Sequence, residues 1–371
     1  MSAPRVGINV LWLQPGKGGG AERYAVGLLR ALTEEGGGRI DATIFCNGRF
    51  LRAYPDVAGR LATAVAPLEG RSRATRIGLE STWLVRETAR RELALVHHLN
   101  DVIPWVHRGR TALTIHDLRS MAGATVLGRT QAAYLRAAVP RSVRAATVVM
   151  TPTEFVRRDV IDRFSIDPAR VRVVGAPAPV VAPAADAALR PEGPYFLYPA
   201  ITNRHKNHRT LLEAFAKVAA GRPELTLVLT GAPGDAEAAV RSEIGRLGLD
   251  ARVVRTGRLA DPAFERMLVD ATALVYPSRY EGYGLPLTEA MAVGCPVIAS
   301  SATALPEVVG DAGLLVDPDD VGGWSDAMVR LLDDPGLRET LIAAGTARAG
   351  ARTPAATADR LVEAYLLALD A

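Results

Sequence analysis

The sequence predicts an α/β fold of two Rossmann-like domains, and three observations carry that expectation. Short apolar runs alternate with stretches of helical periodicity along the chain, as in the run 6–13 followed by the helical pattern 21–35, and again in 225–230 followed by 235–247; such alternation builds parallel sheets flanked by helices. At 371 residues the chain is long enough for two domains, each with its own core. Between the two sets of alternating elements lies a segment, 180–194, that is rich in Ala and Pro and has no periodicity, and it reads as an interdomain linker.

Composition narrows the function classes. Hydrophobic residues make up 49%, which excludes a disordered chain, and the net charge of +4 suits anionic substrates or a membrane surface while demanding neither. No nucleic-acid partner is expected. The only cysteines, Cys46 and Cys295, form neither a disulfide framework nor a metal signature, so a cytoplasmic protein is the simplest expectation. The first residues read as a strand rather than a secretory signal. No window approaches the roughly 20 apolar residues needed to cross a bilayer, so membrane association, if any, would be peripheral and on the cytoplasmic face.

In the first half, the strand 6–13 leads through Gly16-Lys-Gly-Gly-Gly20 into the helix 21–35, whose apolar side includes Tyr24, Leu28, Leu29 and Leu32. The glycine run lacks the Lys-Ser/Thr ending of a P-loop and the spacing of a dinucleotide site, and taken alone it is a flexible turn between strand and helix. Further strands are expected at 40–46, 93–98, 111–115 and 146–150, with helices near 75–91 and 129–144, then a helix to Phe164 and a strand at 171–174. Ligands of parallel sheets gather at the carboxyl ends of the strands, and His97-His98 and His116-Asp117 fall there. For His97 and His98 a packed role is the expectation.

The second half opens with a strand at 195–198, a turn, and a helix over 209–220. Lys206 lies on that turn as a mobile cation able to neutralise a diphosphate. Arg204 is a second candidate for the same phosphates, and Asn207 suits an N-cap. A strand at 252–256 and a helix from Pro262 follow the pair already named, and helices at 322–333, 335–349 and 355–370 close the chain.

The most informative stretch is 278–296, SRYEGYGLPLTEAMAVGCP. It follows a buried strand at 271–276, and between Glu281 and Glu289 lies Gly282-Tyr283-Gly284-Leu285-Pro286, a turn that enters a helix expected over 286–293, with Gly294 closing it. Glu289 is then placed in the first helical turn. A strand, glycine loop and helix in series point amide N–H groups and the positive end of a helix dipole at an anion. Two carboxylates beside such a site fit a ligand bearing both phosphates and hydroxyls, and a nucleotide sugar is one. Either glutamate alone would be read as complementing the helix dipole or as a solvated loop residue.

This stretch resembles the E-x7-E signature of the retaining glycosyltransferases of family 4, and 296–301, 305–308 and 310–313 resemble the continuation of that family's donor half. The resemblance implies the GT-B fold, two Rossmann-like domains facing a cleft: an acceptor-side domain over 1–180, a linker at 181–194, a donor domain over 195–354, and a last helix, 355–371, returning to the first domain. It implies that Gly18, Gly19 and Gly20 let the acceptor half approach the donor diphosphate, that His116 lines the cleft near the reacting sugar, and that Gly257-Arg258-Leu259 holds the nucleobase. It also implies transfer of a hexose, with retention, from a nucleoside diphosphate sugar to a hydroxyl-bearing acceptor. No other cofactor is implied. Lys206, Arg204 and the amides of 282–285 and 18–20 would stabilise the departing diphosphate, and no Asp-x-Asp pair is placed to hold a metal, so metal independence is expected. YEGYGLP and the HKNH turn look most like members that use GDP-mannose or related donors. Two departures from the family pattern stand out: Ile201 occupies the place of the arginine usually paired with the lysine, and Gly175-Ala-Pro replaces the usual Asn-Gly. Two rival classes remain open at this stage, a glycoside hydrolase using Glu281 and Glu289 as acid and nucleophile, and a catalytically idle sugar-nucleotide sensor. Acceptor and oligomeric state are not legible.

Overall fold

The computed structural model describes residues 3–36, 38–67, 73–121, 129–177 and 190–371, with the side chains of Arg73 and Arg129 excepted. The chain divides into two compact units, Met1–Pro177 together with Arg352–Ala371, and Ala178–Ala351. Of the expected linker, residues 181–189 lie outside the described part.

The first unit holds β1 (Arg5–Asn9), α1 (Gly19–Glu35), β2 (Asp41–Cys46), the short helices α2 (Gly48–Ala53) and α3 (Pro55–Ala58), β3 (Ala62–Val65), α4 (Arg73–Arg90), β4 (Leu95–His98), β5 (Arg110–Thr114), α5 (Arg129–Ala145), β6 (Val148–Thr151), α6 (Glu154–Phe164) and β7 (Val171–Val173). Its sheet is parallel throughout, in the order β3-β2-β1-β4-β5-β6-β7. The first strand is shorter than the apolar run suggests. Asn9 ends it by accepting the Leu11 amide on its own side chain, a local turn that takes Leu11 and Leu13 out of the ladder and into the core.

The second unit runs β8 (Tyr195–Pro199), α7 (His208–Ala219), β9 (Thr226–Thr230), α8 (Glu237–Arg246), β10 (Val253–Gly257), α9 (Asp261–Asp270), β11 (Ala273–Tyr276), α10 (Leu285–Ala292), β12 (Val297–Ser300), α11 (Leu305–Val309), β13 (Leu314–Val316), α12 (Val321–Asp333) and α13 (Pro335–Gly350). Its parallel sheet has the order β10-β9-β8-β11-β12-β13. The last helix, α14 (Pro354–Asp370), belongs to the first unit, where it packs on α1, β4, β5 and β6. Tyr365 of α14 is fully buried and its hydroxyl meets His97 Nδ1 at 2.7 Å, while His97 Nε2 meets Thr114 Oγ1 at 2.8 Å. His97 therefore ties β4 to β5 and α14. Its neighbour His98 meets the Asn9 side chain at 3.2 Å, so both histidines are packed groups of the first unit's core.

Each sheet reverses its winding once, between β1 and β4 in the first unit and between β8 and β11 in the second. At such a point the loops leaving two adjacent strands diverge and open a crevice at their carboxyl ends. Among the described residues, no helix is long and apolar enough to cross a membrane. Cys46 and Cys295 are buried and unpaired, with thiols pushed up to about 11 and about 12 by burial.

Candidate active site

In the second unit the loops that leave β8 and β11 at the switch point carry Lys206 and Glu281. Lys206 closes a 3-10 turn (Arg204–Lys206), and its Nζ donates to Glu281 Oε1 at 2.5 Å and to the Tyr276 hydroxyl at 3.2 Å. Both charged side chains are largely buried, at 15% and 13% exposure. Burial pushes the Glu281 carboxyl upward, but the charge and hydrogen bond of Lys206, with the Ser278 hydroxyl, hold it below the ordinary glutamate range. The surrounding groups lock the pair in place. Tyr198, buried in β8, donates its hydroxyl to the Lys206 carbonyl at 2.5 Å and lies 3.3 Å from Ser278 Oγ, and its ring meets Tyr276 edge-on. Asn207, buried and in the left-handed region at φ 57°, donates to the carbonyls of Pro277 and Pro318 and accepts from Thr210 Oγ1. Asn207 does precede α7, but its side chain makes no cap to that helix. It joins the β8 loop to the β11 loop instead.

Beyond Glu281 the chain turns at Gly284, which sits at φ +100° and caps α10; a Cβ there would lie 2.8 Å from Leu305 Cδ2. Because the cap is Gly284, the helix starts at Leu285, and Glu289 falls in its second turn rather than the first as expected. Glu289 is buried at 7% exposure. The helix also offers fewer amides than a generic N-terminus: Pro286 has none and Leu287 donates to Gly284 O. Of the expected set 282–285, only Leu285 lies within the helix. Tyr283 is partly buried against the core, and so is Leu259 of the 257–259 loop.

Arg204 is not gathered with Lys206. Its side chain is 86% exposed with Nε 3.8 Å from Asp235, and its amide donates to Asp235 Oδ1. It belongs to a clasp between the loop after β8 and the loop after β9, in which Thr202 also donates to Glu237. Arg258 follows Gly257, the last residue of β10, which turns at φ +67°.

In the first unit the glycine run is partly helical. Gly18 is the N-cap of α1, and Gly19 and Gly20 are its first two residues. The Gly18 amide is not available to a ligand, since it donates to Glu22 Oε2 at 2.9 Å, so of the three expected glycines only Gly19 and Gly20 keep the amides that a helix leaves without an internal acceptor. His116 follows β5, its amide donating to Asp101 Oδ1 at 3.0 Å and its ring edge-on to Tyr24 and Trp12. The Leu99 carbonyl 3.4 Å from Nε2 can only accept, so in this contact Nε2 is the donor. Burial, set against the His116 charge, pushes the Asp101 carboxyl above its ordinary range. Among the described residues no group of three or more His, Cys, Asp or Glu is arranged to hold a metal.

Sequence reading missed Tyr198, Tyr276, Ser278, Asp101, Glu22 and Thr303. Thr303 accepts the Glu281 amide at 3.0 Å and sits at φ 56°, a strained conformation for a β-branched residue of the kind that clusters at functional sites. Of these, Glu22 had a signal, an acidic residue two positions after a glycine run, in the first turn of the helix that follows.

Two doubly wound parallel sheets, one in each unit, are the architecture that the resemblance to the GT-B glycosyltransferases implied. The Glycosyltransferase Family 4 model matches residues 18–177 and the Glycosyl transferases group 1 model residues 184–348. The O-antigen chain mannosyltransferase B of Escherichia coli is 30% identical over 267 residues, 69% of each chain. A D-inositol 3-phosphate glycosyltransferase of Thermobispora bispora is 29% identical across 96% of this chain and 92% of its own. Among solved structures, Anabaena Alr3699/HepE in complex with UDP-glucose superposes with a TM-score of 0.75 at 19% identity, covering 98% of this chain and 99% of that one. The chain belongs to glycosyltransferase family 4.

Proposed function

We propose that the protein transfers a hexose from a nucleoside diphosphate sugar to a hydroxyl of its acceptor, with retention at the anomeric carbon. The observation that carries this reading is the buried Lys206–Glu281 pair at the switch point of the second sheet. A diphosphate arriving there competes with Glu281 for the lysine. Once Lys206 turns to phosphate, Glu281 is released to accept hydrogen bonds from sugar hydroxyls, so a single exchange of partners prepares both the leaving group and the sugar. As the glycosidic bond breaks, negative charge grows on the diphosphate, and Lys206 with the amides around Leu285 stabilises it. Glu289 is assigned to the ribose, Arg258 and Leu259 to the base, and the first-unit residues Gly19, Gly20 and His116 to the reacting end of the donor and the acceptor. Positive charge supplied by lysine and helix amides makes a metal unnecessary.

For the sugar we favour mannose carried on GDP, supported by the kinship with the E. coli mannosyltransferase. The complex of Alr3699/HepE with UDP-glucose keeps the uridine donors in the test. Thermal stabilisation of the purified protein across a panel of nucleotide sugars identifies the donor, because a ligand that binds only the folded state raises stability by mass action. Transfer from that donor, with the new linkage read by NMR, checks the reaction. Free sugar released from a simple glycoside, with no stabilisation by any nucleotide sugar, would return the glutamates to the hydrolase reading.

A further inference from the structure

The loop Gly16-Lys-Gly-Gly-Gly20 poses a physical problem. Four glycines in five residues give it more conformational freedom than any other five-residue segment of this chain, and Gly16 and Gly19 adopt positive φ, at +80° and +56°. Amides on such a loop are useful to an anion only if something holds them in one arrangement. Glu22 does so. It is buried at 4% exposure, and its two carboxylate oxygens accept from the amides of Gly16 at 2.8 Å and Gly18 at 2.9 Å. The Tyr54 hydroxyl donates to the same Oε1 as Gly16, at 2.5 Å. The tyrosine ring packs on buried Phe50, whose helix is anchored in turn by Asn47 accepting the Arg49 and Phe50 amides. The fit is close enough that a Cβ on Gly18 would lie 2.6 Å from Glu22 Cβ.

We propose that Glu22, braced by Tyr54, is the positioning residue of the glycine loop. Its carboxylate acts as an internal anion that occupies the Gly16 and Gly18 amides, fixes the loop's path, and thereby directs the Gly19 and Gly20 amides outward as the first two of α1. Hydrogen bonds to a charged acceptor are the stronger kind, and a carboxylate is the one side-chain group that accepts from both sides without presenting a donor. Glutamine cannot replace it, because its NH2 would face an N–H. Glu22 does not touch substrate and acts only through the loop. The catalytic part of this inference rests on the proposed transfer reaction, whereas the conformational part does not.

The test uses the full-length protein and the variants Glu22→Gln, Glu22→Ala and Tyr54→Phe. Hydrogen exchange of the segment 14–20, measured without donor, is expected to speed up by about 10-fold or more in both Glu22 variants and by less in Tyr54→Phe, while exchange in the core strands is unchanged. With the donor that the wild-type protein turns over, kcat is expected to fall by about 10- to 100-fold in Glu22→Gln, with donor KM moving less than about 3-fold, the pattern of a group misplaced in the transition state. Unchanged exchange across 14–20 in the Glu22 variants overturns the proposal, as does a loosened loop with undiminished kcat. Should a Glu22 variant not fold, Tyr54→Phe alone decides, since it removes one hydrogen bond and leaves the carboxylate, and wild-type exchange at Gly16 in that variant overturns the bracing. A wild-type protein that turns over no nucleotide sugar refutes the transfer reading and leaves the exchange result to stand or fall by itself.

Discussion

Lys206 and Glu281 each satisfy the other's charge in a place with little solvent, and this makes them informative to remove one at a time. Lys206→Ala is expected to slow transfer by at least ~100-fold, the scale of one lost electrostatic donor. The same change leaves the Glu281 carboxylate buried without its cation, which is expected to cost roughly 3 kcal/mol of stability. Adding Glu281→Gln should restore most of that stability and none of the activity, because an amide needs no cation. A double variant no more stable than Lys206→Ala, by chemical denaturation, would show that the pair is not coupled in the way the 2.5 Å contact implies. The two glutamates separate by kinetics. Contacts that tighten as the sugar becomes cation-like appear in kcat, and contacts equal in both states appear in KM. Glu281→Gln should therefore lower chiefly kcat, and Glu289→Gln should raise chiefly donor KM. Steady-state kinetics showing the reverse split would exchange their roles.

At the scale of elements, the site depends on how strands and helices end. Gly284→Ala would force a side chain into φ +100° and against Leu305, so it is expected to cost about 1–3 kcal/mol and to weaken donor binding together with stability. A thermal midpoint within a degree of wild type would show that the turn relaxes freely. The alternation of strand and helix was legible in the sequence because apolar periodicity reports it directly, and so was the glycine turn into α10. What was not legible has identifiable causes. The β3 and β13 strands are only 4 and 3 residues long and at the sheet edges, too short to show alternation. β1 stops early because Asn9 folds back on Leu11, a side-chain event invisible to hydropathy. The start of α10 differs from expectation by one residue, yet that residue moves Glu289 out of the first turn and weakens the dipole argument made for it. Lys206 and Glu281 stand 75 positions apart in sequence. Only the strand order, with β8 beside β11, brings their loops together, and no local pattern encodes that order. Arg204 illustrates the converse, since proximity in sequence placed it beside Lys206 while the Asp235 carboxylate draws it to the neighbouring loop.

For the molecule as a whole, two predictions concern what the solvent can change. Activity should survive excess EDTA, because in the proposed mechanism Lys206 and helix amides supply the charge that a cation supplies elsewhere; loss with EDTA and rescue by Mg²⁺ or Mn²⁺ would show the site misread. The other is acid lability, and its sign follows from buried histidines. Burial first, and neighbouring positive groups second, lower His97 and His98 in the first unit to about 3 and His208 in the second to about 4, from an ordinary value of 6.5. Between 6.5 and those values the unfolded chain binds protons that the folded chain refuses, so stability is full above about pH 6.5 and falls as the pH falls. Each such histidine contributes a slope of at most about 1.4 kcal/mol per pH unit. Asp101, raised by burial, works in the opposite direction. Calorimetry from pH 7.5 to 4.5 should therefore show a steep loss of stability beginning near pH 6.5, steeper for the transition of the first unit, which holds two of these histidines, than for that of the second. His98→Asn keeps an amide where Nδ1 meets Asn9 and cannot titrate, so it should flatten the acid slope of the first unit even if it lowers stability at neutral pH. An unchanged slope in that variant would mean that His98 is protonated in the folded protein, and that the core around β4 admits a charge its packing is expected to exclude.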